Sequence, residues 1–96
     1  MPEMRFMVVW PDGGEEVCYS PSLVIKEHLQ EGAEYPVAEF VERSRTALNI
    51  ASDRVMVKYG HACSLALNQL SRIEARAARF VDDPRARVRC STFAFD

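Results

Sequence analysis

The first twenty residues carry a β-hairpin pattern, which constrains the fold more than any other feature of the sequence. Residues 4–10 alternate between two sides, as in a strand whose successive side chains point to opposite faces. The large apolar residues share one side: Met4, Phe6, Val8 and Trp10. The following Pro-Asp-Gly-Gly segment at 11–14 combines a proline of fixed φ with two glycines and predicts a chain reversal. Residues 15–20 then return as a second strand.

The pairing of these two strands can be predicted from their apolar residues. If Trp10 pairs with Glu15, Val8 lies opposite Val17 and Phe6 lies opposite Tyr19, so that large apolar groups meet across the strands. The opposite face of the sheet would then hold the other apolar residues: Met7, Val9 and Cys18. A partly apolar second face on a small domain indicates self-association or a docking partner, and we expect a homodimer.

Three helices are predicted after the hairpin. Ser20-Pro21 is typical of a helix start and Gly32 of a helix end. A second helix begins at Tyr35-Pro36 and ends at Gly60, with apolar residues at three- and four-residue spacings. Because this run is long, a break near Ser52-Asp53 is an alternative.

The third helix is predicted over 62–80. Its buried side consists of Ala62, Leu65, Ala66, Leu70, Ile73, Ala77 and Phe80. Asp82-Asp83-Pro84 ends it, and residues 87–95 alternate as a final strand. One side of that strand would hold Val88, Cys90, Thr92 and Ala94, and the other Arg89, Ser91, Phe93 and Phe95.

The element order β-β-α-α-α-β predicts an α+β fold, with a small antiparallel sheet and helices packed on one face. We expect one domain over residues 1–96, because this length suits one hydrophobic core. Hydrophobic residues make up 48% and charged residues 27%, as in an ordinary folded protein. There is no run of about 20 apolar residues for a membrane helix. The first residues lack a secretory signal, and three widely spaced cysteines make a poor disulfide set, so we expect a cytoplasmic protein.

Only His61 and Cys63 place two good metal ligands, or a nucleophile and a base, close together in the sequence. Positions i and i+2 of a helix point apart, so we expect no shared metal and no cofactor. A cysteine near a helix start after Gly60 could be activated, but a structural thiol is the simpler interpretation. We therefore assign no catalytic residues.

Positive charge is concentrated near the carboxyl end. Residues 1–71 carry six basic and ten acidic side chains, a balance of −4, whereas residues 72–89 carry six arginines and three acidic residues, a balance of +3. Five of these arginines are candidates for partner binding: Arg72, Arg76, Arg79, Arg87 and Arg89. A solvated helix face is the simplest interpretation, an acidic protein partner is the next, and nucleic acid is disfavoured because the whole chain is acidic and no aromatic residues interleave the arginines.

Several stretches resemble those of a known family. They are residues 1–6, Trp10-Pro11-Asp12-Gly13, residues 18–22, Tyr35-Pro36-Val37, Ser44-Arg45, Ala51-Ser52, Lys58-Tyr59-Gly60 and Ala62-Cys63-Ser64. In these stretches the chain resembles the small bacterial nitrogen-starvation-response proteins, which are encoded beside a nitrilase in gene clusters for nitrile or cyanide assimilation. The resemblance implies a bacterial accessory or regulatory protein, with an enzyme of that pathway as a partner, and implies no catalytic residues.

Two functions are consistent with these observations. The first is a non-catalytic accessory protein that holds a partner through the arginine residues or the second sheet face. The second is a small-molecule sensor or small enzyme whose site forms where the hairpin meets the start of the third helix. That site would use Trp10, Tyr19, Tyr59, His61 and Cys63, with Arg45 or Arg54 as an anion contact.

Overall fold

The computed structural model describes residues 2–95 and confirms the α+β class. Its strands are β1 (Met4–Val9), β2 (Glu15–Ser20), β3 (Glu34–Pro36) and β4 (Arg87–Phe95). Its helices are α1 (Ile25–His28), α2 (Val37–Tyr59) and α3 (Ser64–Ala77), which continues as a 3-10 turn over Ala78–Phe80. The strands form one antiparallel sheet in the order β2-β1-β4-β3. Among the described helices, none is both long enough and apolar enough to cross a membrane.

The hairpin is present, but its predicted register is wrong by one residue. Val9 pairs with Glu15, and Phe6 therefore lies opposite Cys18 instead of Tyr19. The shift arises because the Trp10 N–H donates to the Gly14 carbonyl at 2.8 Å, which closes the loop one residue earlier than predicted. Since side chains alternate along a strand, this slip moves Cys18 to the buried face and Val17 and Tyr19 to the other.

The strict alternation predicted for the last strand is also wrong. Val8 pairs with Cys90, whereas the preceding Met7 pairs with Thr92, so Ser91 is an extra residue in a β-bulge. The Ser91 hydroxyl donates to the Met7 carbonyl at 3.2 Å within this bulge. Beyond it the facing of the strand reverses. As a result Phe93 lies opposite Phe6 and packs against the core, and Phe95 shares that side of the sheet.

The first predicted helix is much shorter than expected. Ser20 is the last residue of β2 and not a helix cap, and its hydroxyl donates to the Ser22 carbonyl at 2.7 Å. The Ser22 hydroxyl in turn accepts the Val24 N–H at 3.2 Å. These local serine hydrogen bonds hold residues 20–24 in turns, and only the four residues of α1 are helical.

The strand β3 was not predicted. Tyr35 lies opposite Val88 and is buried, and its hydroxyl accepts the Gln30 N–H at 2.9 Å. The Tyr35-Pro36 pair therefore ends a short edge strand immediately before α2 begins at Val37.

The two long helices agree better with their sequence patterns. The helix α2 runs without a break to Gly60, which ends it at φ 82°. The start of α3 lies at Ser64, two residues later than predicted, with Cys63 as the preceding cap residue. Leu65 was predicted to be buried but is 61% exposed, because the buried stripe of α3 starts at Ala66.

All helices lie on one face of the sheet, and Trp10 is central to the core between them. Its ring meets Phe40 edge-on at 5.5 Å and stacks on Phe80 at 6.2 Å between centroids. Fully burying a phenylalanine side chain such as that of Phe40 stabilises the fold by about 1.5–3 kcal/mol. No described helix covers the opposite face, which we call the open sheet face. It consists of Arg5, Met7 and Val9 of β1, Glu15, Val17 and Tyr19 of β2, and Arg87, Arg89, Thr92 and Ala94 of β4.

Candidate partner-binding site

Three arginines lie together where α3 packs against the edge strand β2. They are Arg72, Arg76 and Arg79, which we call the arginine stripe, and they follow one another at helical spacings of four and three residues. Together with Glu16 and Ala75 they line a shallow groove of about 300 Å³. The lining of the groove thus contains three guanidinium groups and one carboxylate, and Asp12 adds a second carboxylate near Arg76, so positive charge is in excess.

The middle arginine of the stripe is anchored to the hairpin. The Arg76 guanidinium lies 5.7 Å from the Trp10 ring centroid, and its Nη1 is 3.9 Å from Glu16 Oε1. Its Nη2 lies 3.8 Å from Asp12 Oδ1 and so close to Gly14 that a side chain there would collide with it. Gly14 therefore makes room for the guanidinium, and Arg76 is only a quarter exposed.

A partly buried polar network fixes α3 to β2 beside this arginine. Glu16 accepts hydrogen bonds from Trp10 Nε1 at 3.1 Å and from Gln69 Nε2 at 3.2 Å. The other amide atom of Gln69, Oε1, accepts the Tyr19 N–H at 3.0 Å. Gln69 is 4% exposed, and both the nitrogen and the oxygen of its side-chain amide are hydrogen-bonded to residues of the edge strand β2. These bonds hold the helix, and hence the stripe, in a defined position.

Sequence reasoning did not identify Gln69 or Glu16 as important residues. A signal was nevertheless available, because Gln69 lies three residues after Ala66 and four before Ile73, inside the apolar face of α3. A polar residue at such a position needs a buried hydrogen-bond partner.

The outer two arginines of the stripe differ from Arg76. Within residues 2–95, neither Arg72 nor Arg79 has a hydrogen bond or ion pair from its guanidinium group, and both residues are exposed. A rigid helical element thus presents two cations with their hydrogen-bonding capacity available to another molecule. This arrangement is electrostatically complementary to a surface carrying carboxylates.

Arg87 and Arg89 do not extend the stripe. Both lie on the open sheet face, in the part of β4 that pairs with β3, at the sheet edge opposite to β2. Arg87 Nε is 3.7 Å from Glu34 Oε2, an exposed pair. The arginines that are neighbours in the sequence therefore form two separate surfaces.

The residues of the predicted small-molecule site lie in several different places. Trp10 is in the core, and Tyr19 is on the open sheet face, where its hydroxyl donates to Glu3 Oε2 at 2.8 Å. Desolvation, the hydrogen bond to Glu3 and the negative charge of Glu3 raise the pKa of Tyr19 to about 12. The phenol is therefore held in its protonated form as a hydrogen-bond donor.

The two candidate anion contacts are engaged elsewhere. Arg45 pairs with Glu42 of its own helix α2 at 2.7 Å and joins α2 to α3 through Glu74 at 2.9 Å, and the hydrogen bond to Glu74 raises the pKa of Arg45. It lines a groove of about 470 Å³ between the start of α2 and the end of α3. Arg54 Nη1 donates to the Ser22 hydroxyl at 2.9 Å and lines a different concavity along α2.

The remaining three candidates lie around the connection between α2 and α3. The exposed rings of Tyr59 and His61 stack with centroids 6.4 Å apart. Cys63 is half-buried, and its backbone N–H donates to the Ser52 hydroxyl at 3.2 Å. Of the seven candidate residues, Tyr59 and His61 are in ring contact, and Cys63 lies near enough to Tyr19 to contribute to the rise in the Tyr19 pKa. Among the described residues, no three His, Cys, Asp or Glu side chains are grouped so that they could hold a metal ion.

Comparison with known proteins identifies the family to which the chain belongs. The family model for the nitrogen starvation-induced protein NitG matches residues 5–93. Neither a curated protein nor a solved structure gives a significant match. The matched range contains all of the hairpin except Met4, every described helix, β3 and most of β4. The chain therefore belongs to the NitG family of nitrogen starvation-induced proteins.

Proposed function

We propose that this chain is a non-catalytic accessory protein of the nitrogen-starvation response, and that it binds a partner protein through the arginine stripe. Membership of a nitrogen starvation-induced family supports the physiological setting. The observation that carries the binding role is the pair of exposed guanidinium groups of Arg72 and Arg79, which have no hydrogen bond or ion pair within residues 2–95, beside the anchored Arg76.

The charge of the stripe determines the kind of partner. Guanidinium groups match carboxylates in planar, paired hydrogen bonds, and three of them on one rigid element favour an acidic protein surface. An enzyme of nitrile or cyanide assimilation is the proposed owner of that surface, in keeping with the resemblance of the chain to proteins encoded beside a nitrilase. The accessory protein would position or regulate that enzyme without contributing reacting groups of its own.

Copurification from the native host tests this proposal. The chain, tagged at its carboxyl end, is recovered from nitrogen-limited cells, and bound proteins are identified by mass spectrometry. We expect an enzyme of the assimilation pathway to be retained at low salt and released as salt rises, because exposed charge pairs are screened. Recovery of no pathway enzyme would refute the proposed partner.

Charge-reversal variants test the surface itself. The double variant Arg72→Glu, Arg79→Glu is expected to lose the captured enzyme, since it converts two attractive contacts into repulsive ones. Arg76 is left unchanged because it also packs on Trp10. Lys26→Glu with Lys58→Glu, on exposed positions of α1 and α2, changes the net charge by the same amount as the stripe variant and is the control, which should retain the enzyme. Equal capture by the stripe variant and the control would exclude the stripe as the binding surface.

A further inference from the structure

The open sheet face presents apolar side chains in the middle of a surface that no described helix covers. Val17 on the edge strand is 56% exposed, and Met7 and Val9 on the central strand β1 are half-buried. On the helix side the neighbouring Phe6 and Val8 are 0% exposed. Both faces of β1 thus carry apolar residues, but only the face toward the helices is covered.

The strand register arranges this face in three rows across β2, β1 and β4. The first row, next to the hairpin turn, is Glu15–Val9–Arg89. The second is Val17–Met7–Thr92, and the third is Tyr19–Arg5–Ala94. Over these three strands the first row therefore runs from a negative residue through an apolar centre to a positive residue, and Glu34 of β3 follows Arg89.

We propose that a second copy of this chain covers the open sheet face, with a two-fold axis that runs along β1 between the two sheets. A half-turn about this axis leaves each row at the same height along β1. It places β2 of one copy opposite β4 of the other copy. Glu15 of each copy then lies opposite Arg89 of the other, so that one row supplies two ion pairs. Val9 and Met7 pack against their own counterparts, and Val17 packs beside Thr92.

The neighbouring charged residues leave the Arg89 side chain able to form an ion pair with Glu15 of the second copy. Glu34 lies directly across from Arg89 on β3, but its carboxylate is 3.7 Å from Arg87 Nε. Glu15 is exposed and points to the same face as Arg89. Each therefore has a counter-charge available in the second copy.

A different two-fold arrangement fits the rows less well. An axis across the strands would superpose the first row on the third, with Glu15 opposite Tyr19 and Val9 opposite Arg5. Neither charge of the first row would then meet its opposite. With the axis along β1, Arg5 faces its own counterpart at the end of the patch, where its guanidinium group lies 5.8 Å from the centroid of the Tyr19 ring.

The size of the patch sets the strength of the dimer. Three strands at a spacing of about 4.8 Å, with about 3.4 Å per residue, give a face of about 14 by 20 Å. Such a face, about 280 Å² in projection, is well below the roughly 800 Å² per partner that standard specific interfaces bury. The dimer should therefore be weak, forming at high protein concentration and dissociating on dilution.

Sedimentation velocity of the full chain over a series of concentrations tests the proposal. The unmodified chain is expected to pass from monomer to dimer as concentration rises. Val17→Lys places a charge in the second row, beside Met7 and opposite Thr92 of the other copy, and should weaken the dimer about tenfold or more. Val57→Lys is the matched control, because Val57 is 87% exposed on α2 and far from this face, and it should leave the dimer unchanged.

Charge reversal then tests the pairing. Glu15→Arg and Arg89→Glu should each weaken the dimer about tenfold, and the double variant should restore most of the loss, because the exchanged charges again face each other. Thermal unfolding of each variant confirms that the monomer is folded.

A chain that stays monomeric at every concentration would overturn the proposal, and so would a dimer that responds to Val57→Lys and not to Val17→Lys. A double variant no better than the single ones would overturn the axis along β1. None of these results depends on the arginine stripe, so the dimer and the proposed function are tested separately.

Discussion

The hydrogen bonds of Gln69 provide a direct test of how α3 is held against the hairpin. The perturbation is Gln69→Met, which keeps the length of the side chain and removes both of its polar groups. It deletes the acceptor of the Tyr19 N–H at 3.0 Å and the donor to Glu16 at 3.2 Å. Because the side chain is 4% exposed and methionine fills similar space, the cost reports on hydrogen bonding rather than on a cavity.

The expected magnitude follows from the two lost bonds. A buried donor left without its acceptor costs about 1–3 kcal/mol, and a hydrogen bond to a charged group contributes about 1.5–3 kcal/mol. Glu16 keeps its bond from Trp10 Nε1 and is partly exposed, which lowers its share. We therefore expect the free energy of unfolding to fall by about 2–4 kcal/mol, a large part of the 5–15 kcal/mol typical of small domains.

Urea unfolding followed by the fluorescence of Trp10, the single tryptophan, measures this change. Gln30→Met is the control, because Gln30 is exposed, and it should change stability by less than about 0.5 kcal/mol. Glu16→Gln combined with Gln69→Met should show a smaller loss than the sum of the single variants, since both act on one bond. A Gln69→Met variant as stable as the Gln30→Met control would refute the role of this network.

Three further predictions concern the hairpin turn and the cysteines. Gly14→Ala should displace the Arg76 guanidinium from the Trp10 ring and lower stability by about 0.5–1 kcal/mol, with a shift in tryptophan emission; unchanged emission would contradict the contact. At neutral pH a thiol reagent should label Cys63 well before Cys18 and Cys90, because Cys63 is half-buried and the others are buried, and peptide mapping identifies the labelled site. Burial raises the pKa of Cys90 from 9.0 to about 11, so the folded state holds this proton more tightly than the unfolded chain and stability should fall between pH 9 and 11. In Cys90→Ala the free energy of unfolding should vary less over that window, and an identical pH profile would refute the burial effect.

The sequence predicts which helices and strands exist more reliably than it predicts how they pair and pack. The hairpin, both long helices and the last strand follow from short-range periodicity, which depends only on neighbouring residues. The register of the hairpin does not, since it depends on whether Trp10 closes the loop with Gly14 or pairs with Glu15. Matching large apolar residues across the strands favoured the wrong choice, because Glu16 on the helix-facing side is compensated by partners from α3.

That compensation explains why the network of the site could not be predicted. Glu16 and Gln69 are 53 positions apart, and each is an unfavourable residue for a buried face when considered alone. Only the packing of α3 on β2 makes each the partner of the other. When the strand register is predicted from the two strands alone, without α3, the observed pairing of Val9 with Glu15 is therefore rejected.

The arginines are a second example of an arrangement that the sequence alone could not predict. A stripe at helical spacing could be predicted for Arg72, Arg76 and Arg79, but charge counted along the sequence also includes Arg87 and Arg89. The turn at Asp82-Asp83-Pro84 leads the chain from α3 into β4, which pairs with β1 and β3 rather than with β2. One cluster in the sequence becomes two surfaces with different neighbours, a groove beside Glu16 and a row ending in Arg89. Because these surfaces lie on opposite sides of the sheet, binding at one leaves the other accessible, and a dimer formed through the open sheet face would carry two arginine stripes for an acidic partner.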